Sequence, residues 1–137
     1  MRDFLVSFMG PIFGVIFDFY AAHSLIFNSV VIVYGFVIVL SWNNLMGIRH
    51  RLVEALVEQL RGAPEKLAEA KPERLLDEVV IPWEEALSAA RFPLVAKQTA
   101  LYPRRKSLEA VQALLPADTL IKESLDLFSR TNQPSRR

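Results

Sequence analysis

The sequence has no cysteine, which excludes disulfides, thiolate metal sites and cysteine nucleophiles and leaves the redox compartment open. Its two histidines, His23 and His50, stand 27 residues apart, too sparse a set for a histidine-based metal centre. No G-x-x-x-x-G-K and no G-x-G-x-x-G occurs, so no phosphate cradle is expected. Charge of either sign is missing from Phe19 to Ile48, thirty consecutive residues without Asp, Glu, Lys or Arg. Strand-like alternation is almost absent beyond that run.

Catalytic groupings are equally scarce. The carboxylate pairs Asp77-Glu78 and Glu84-Glu85 are neighbours in sequence, and adjacent helical residues do not face one another. A Ser-His-Asp set could be assembled only by crossing the boundary of the apolar run. No enzymatic activity, cofactor or small-molecule substrate is therefore expected. Residues 49–137 carry fifteen basic and thirteen acidic side chains, a balance too even for a nucleic-acid footprint.

What is present divides the chain into an apolar head and a mixed-charge remainder. Within the charge-free run, Leu25–Trp42 reads LIFNSVVIVYGFVIVLSW. As a helix these residues cover about 27 Å, close to the ~30 Å hydrocarbon thickness of a bilayer. The β-branched density would favour a strand in water. In lipid an unclosed strand leaves its N–H and C=O groups unpaired, so the helix wins. The expected span is residues 24–43. One Arg beside an Asp makes a poor signal-peptide start, and no small-residue cleavage pattern ends the apolar region, so residues 1–44 are expected to be a permanent anchor.

Residues 4–20 form a second apolar stretch, for which two arrangements fit. It is either the first leg of a helical hairpin turning at Asp18–Ser24, or a helix lying at the membrane surface. Ser7, Gly10, Gly14 and Asp18 fall on one helical stripe, a candidate packing face. Gly10-Pro11 would break or kink the helix in either case. Asn28 and Gly35 are the packing candidates of the main span, since a buried amide needs a partner on a neighbouring helix. Asp18, His23 and Trp42 are assigned to the membrane–water boundary, where amphipathic rings favour the headgroup level. A pigment-ligating role for His23 would need a second ligand that the sequence does not offer.

Arg49 and Arg51 follow the span directly, and positive charge at one end of a span places that end in the cytoplasm. Leu45, Ile48, Leu52, Val53, Leu56, Val57 and Leu60 then recur at helical spacing, so the helix is expected to continue over 45–62 and to end at Gly62. Residues 63–130 are punctuated by Pro64, Pro72, Pro82, Pro93, Pro103 and Pro116, most of them followed by a helical pattern. Helices are expected from Pro64, from Pro72 (stripe Leu75, Leu76, Val79, Val80) and from Pro82 (stripe Trp83, Leu87, Ala90, Leu94, interrupted at Phe92-Pro93). Ser107 should cap the next, with Leu108, Val111 and Leu115 inward. Pro116–Arg130 should form the last, with Leu120, Ile121, Leu125 and Phe128 inward. Residues 131–137 read as a flexible polar tail. Arg104, Arg105 and Lys106 make the densest basic patch.

The fold class these features predict is an all-α membrane protein. One transmembrane helix, with or without a hairpin leg, continues into a small cytoplasmic array of short helices. The function expected of it is that of a small non-catalytic subunit of a membrane complex, whose partners are other membrane subunits or copies of itself and the lipid bilayer. A homo-oligomeric channel or transporter component and a membrane tether for a cytosolic protein are the alternatives.

Overall fold

A computed structural model describes residues 7, 10–62, 75 and 77–132. The helix expected from Pro64, the residues of the Pro72 helix other than Leu75 and 77–80, and the tail beyond Asn132 lie outside them. The chain divides into two compact units, Met1–Val37 and Ile38–Arg137. The described structure is mostly helical and contains one helix long and apolar enough to cross a membrane.

That helix, α1, runs from Pro11 to Gly62. Gly10 stands at φ +87 just before it, a backbone region that L side chains rarely adopt. Pro11 takes the first helical position, where a missing N–H is not needed. The glycine–proline pair therefore starts the helix instead of kinking it. The register that would align Ser7 and Gly10 with Gly14 and Asp18 is interrupted at Gly10.

The stretch Asp18–Ser24, the turn in the hairpin arrangement of the two expected, is helical apart from His23, which sits at φ −116, ψ 16. Nothing in Asp18-Phe-Tyr-Ala-Ala breaks a helix, so the chain bends at one residue and does not open into a loop. The bend has an identifiable cause. His23 Nδ1–H donates to the Phe19 carbonyl at 2.9 Å, placing a side chain on the acceptor of its own helical turn.

The second unit is built on the C-terminal part of α1. Leu45, Ile48, Leu52, Val53, Leu56 and Leu60 are all buried, and their spacing lays them along one face. Against this face pack Leu75, Ala86, Val95, Val111, Leu115, Leu120 and Ile121. Burying each leucine, isoleucine or valine among them contributes about 1.5–3 kcal/mol. Residues 45–62 are thus the spine of the core and not a connector leading to it.

Around the spine come α2 (Trp83–Ala89), β1 (Leu94–Val95), β2 (Arg104–Arg105), α3 (Leu108–Leu114) and α4 (Ala117–Asn132). Helix α2 stops before Leu94, contrary to the stripe expected through that residue. Ala90 is extended at ψ 118, and Pro93 disfavours helical geometry at Phe92. Leu94 instead enters a short antiparallel pair, Leu94 opposite Arg105 and Val95 opposite Arg104. Lys106 N–H donates to the Pro93 carbonyl at 2.8 Å and extends the ladder. This strand pair corrects the expectation of an array made of helices alone.

Ser107 caps α3 as its sequence suggests, its hydroxyl accepting from Ala110 N–H at 3.2 Å. Val111 and Leu115 are buried, but Leu108 is exposed. It is the first residue of α3, at the exposed end of the stripe it forms with Val111 and Leu115. Val80 is likewise exposed, because the chain has left helical geometry by Val79. Replacing Ser107 by alanine is expected to cost about 1 kcal/mol. Thermal unfolding of the full-length protein in detergent would read this as a small drop in midpoint.

Candidate functional site

Two regions carry features beyond packing, one in each unit. In the first unit the bend at His23 gathers an aromatic and polar group. Eight helical residues separate Tyr20 from Asn28, an axial distance of about 12 Å in a straight helix. Their side chains nevertheless meet: Tyr20 Oη donates to Asn28 Oδ1 at 2.9 Å. Phe19 and Phe27 stand edge to face at 5.9 Å, and Phe19 lies 4.7 Å from the His23 ring. The helix closes towards this face. Asn28, assigned to contact a neighbouring helix, thus has an acceptor role within its own chain. Its Nδ2 makes no hydrogen bond among the described residues.

The other members of the expected packing set are spread out. Ser7 and Asp18 are exposed, Gly14 is buried and Gly35 is exposed. A Cβ placed on Gly35 would meet nothing within 4 Å, so any close approach there has to come from another molecule. Ser29 closes its hydroxyl on the Leu25 carbonyl at 2.7 Å, which leaves no unsatisfied donor at that point of the apolar run.

In the second unit the turn of α1 at Ser41–Asn44 holds the strand pair. Asn44 Nδ2 donates to the carbonyls of Phe92 (2.8 Å) and Leu94 (3.0 Å). Ala96 N–H donates to the Ser41 carbonyl at 3.3 Å. One amide and one carbonyl on α1 thereby fix where the 92–96 segment sits. Asn44 reads as an interface residue in the sequence, and nothing local reveals that it serves a loop 48 residues away. Removing its two hydrogen bonds in Asn44→Ala is expected to cost about 1–3 kcal/mol. Hydrogen exchange at Leu94–Ala96 should accelerate well before the amides of α4 respond.

Arg49 is engaged as well. Its Nε and one terminal nitrogen lie 2.8 and 2.7 Å from Glu123 Oε2 on α4. Both side chains remain about a third exposed, so the pair is worth less than ~1 kcal/mol. Its effect is to dock α4 beside the first turns after the apolar run. Glu123→Ala should leave the melting midpoint almost unchanged, a contrast with Asn44→Ala that a parallel melt would read. Arg51 is exposed and, with Asn43, Asn44 and Arg91, lines a cleft of about 330 Å³. Trp42 is half-buried over a larger open cleft of about 460 Å³, with Met46, Arg49, Lys97, Leu114 and Leu120 around it.

The basic patch is rearranged by the fold. Arg104 and Arg105 are exposed on β2, but Lys106 turns inward. Its Nζ donates to the carbonyls of Leu87, at 2.9 Å, and Ala90. These are end carbonyls of α2, where a cation also meets the favourable end of the helix dipole. The charge beside Arg104 and Arg105 in the sequence is therefore used internally, and Lys97 is an exposed cation in the intervening loop.

No group of three or more His, Asp or Glu that could hold a metal ion occurs among the described residues. Comparison with protein-family models, with curated proteins and with solved structures finds no match.

Proposed function

We propose that the chain is a membrane-anchored, non-catalytic accessory subunit. Its apolar helix lies in the bilayer beside other transmembrane helices, and its second unit works in the cytoplasm. The observation that carries this reading is the state of α1's apolar segment. In its most apolar 18-residue window, only 6% of residues are buried. A core helix of a soluble protein would have that surface covered by its own chain.

The magnitudes favour lipid. Seventeen large hydrophobic side chains from Ile12 to Leu40 are exposed, among them Leu25 at 81% and Ile12 at 75%. Even at ~60 Å² apiece they total on the order of 1,000 Å², beyond the ~300–600 Å² of the largest patch on a typical soluble monomer. In a bilayer the same surface is at no disadvantage. Arg49 and Arg51, with no acid between Asp18 and Glu54, support the cytoplasmic side for the second unit, since lysines and arginines count towards sidedness and acids contribute little.

The accessory role is supported by two features of the helix: an Asn28 amide nitrogen with no hydrogen bond among the described residues, and the open face at Gly35. A lone polar amide and a bare glycine give a second helix both a hydrogen bond and room for close approach. The test is isolation of the full-length chain from its native membrane in mild detergent, followed by mass spectrometry. The reading expects other membrane proteins in stoichiometric amount, lost on Asn28→Leu/Gly35→Leu. A ring of copies of the chain alone would favour a channel component. A lone monomer would contradict both.

A further inference from the structure

We infer that the β1–β2 hairpin is a second membrane contact, docking its tip on an anionic lipid surface. The inference rests on the membrane reading above and adds a site to it. The loop between the strands turns at Lys97–Ala100 and then carries Leu101 and Tyr102, exposed at 75% and 78%. Among the described residues, five large hydrophobics outside α1 are exposed, and these two are a contiguous pair. The charged residues that flank them in the hairpin are all cations: Lys97 earlier in the loop, and Arg104 and Arg105 on β2, all exposed, with Lys106 after them. No Asp or Glu occurs between Ala86 and Leu108. An apolar and aromatic tip flanked by positive charge matches the headgroup layer of an anionic bilayer, where a tyrosine ring sits at the boundary and each arginine is attracted to lipid phosphate and carboxylate.

Position supports the same occupant. The base of the hairpin is held to α1 by the Asn44 and Ser41 hydrogen bonds, beside Trp42, where the apolar run gives way to Arg49 and Arg51. From Val95 to Leu101 is six residues, which reach at most about 20 Å. The tip is thus tethered within reach of the level at which α1 leaves the lipid. The inward turn of Lys106 stiffens the arrangement by fixing the strand after the tip to the end of α2.

The absence of cysteine makes the test direct. An environment-sensitive fluorophore is attached to Leu101→Cys in the full-length chain, with Gln112→Cys on α3 as the control. Each is reconstituted into vesicles of phosphatidylcholine alone or doped with phosphatidylglycerol, with brominated lipid as quencher. The tip label should be blue-shifted and quenched in the anionic vesicles, far less in the neutral ones, and the Gln112 label in neither. Arg104→Ala and Arg105→Ala should each weaken the contact about fivefold, and added salt should do the same. A tip label that stays in water while the chain floats with the vesicles would overturn the hairpin contact alone. Equal quenching in both lipids would overturn the selection for negative charge. A dry label without quenching would mean that protein covers the tip, which also overturns it. A chain that does not float at all would remove the membrane reading and the hairpin contact with it.

Discussion

Two arginines at the centre of the apolar segment, Val31→Arg with Val33→Arg, are expected to keep α1 out of the bilayer. The segment Leu25–Leu40 holds twelve Leu, Ile, Val and Phe residues. On an insertion scale these favour the membrane by ~0.3–0.6 kcal/mol each, about 4–7 kcal/mol together. Each arginine near the centre costs ~2.5–3.5 kcal/mol, so the pair reverses the balance. A single Val33→Arg reduces the margin without abolishing it. Cell-free synthesis with vesicles, followed by flotation, should show the wild-type chain at the top of the gradient, the single variant largely with it, and the double variant left behind. If all three floated alike, the helix would not be the anchor.

The other large effect belongs to the second unit. Leu52 is fully buried at the middle of the spine, with the packed side chains of the core around it. Leu52→Ala removes three carbons and leaves a cavity, at a cost of about 2–5 kcal/mol. Against a total stability of ~5–15 kcal/mol that is a large share. At ~4–8 °C per kcal/mol for a unit of this size, the midpoint should fall by at least about 8 °C. Trp83, half-buried against this core, provides the signal in a detergent melt of the full-length chain. Ile32→Ala, at an exposed position of the apolar segment, should leave the midpoint unchanged. The pair of variants separates the two surfaces of one continuous helix: Leu52 is held by its own chain, and Ile32 is not.

The sequence carries some of this plainly and some not at all. The helix that ends at Gly62, the Ser107 cap and the inward face of α4 are written in local spacing, and local spacing is what helices are made from. The bend at His23 was readable only as a region, because a histidine closing on its own turn leaves no pattern. The strand pair was not readable: two residues on each side give no periodicity, and their partner lies ten residues on. Arg49 and Glu123 are 74 residues apart, and Asn44 serves carbonyls that carry no side-chain signature. Lys106 misleads for a related reason. Three consecutive cations read as one patch, but the strand sends Arg104 and Arg105 outwards and Lys106 under α2.

Several features of the structure converge on one physical choice, whether the surface around Val33 meets lipid or water. The Tyr20–Asn28 and Ser29–Leu25 hydrogen bonds pair polar groups of the helix with partners on the helix itself. That arrangement suits a medium that cannot replace those bonds. The second unit has the opposite character, with an apolar core buried along the C-terminal part of α1 and His50–Glu54 and Arg130–Asp126 pairs on its exposed faces.

The most direct measurement is alkaline carbonate extraction of membranes from cells making the full-length wild-type chain. High pH strips proteins held by charge or by partners at the surface and leaves a helix embedded in hydrocarbon where it is. The chain should remain entirely with the pelleted lipid and leave it only when detergent is added. Its release into the supernatant as a monodisperse protein in plain buffer would contradict the anchor, the sidedness and the subunit role at once.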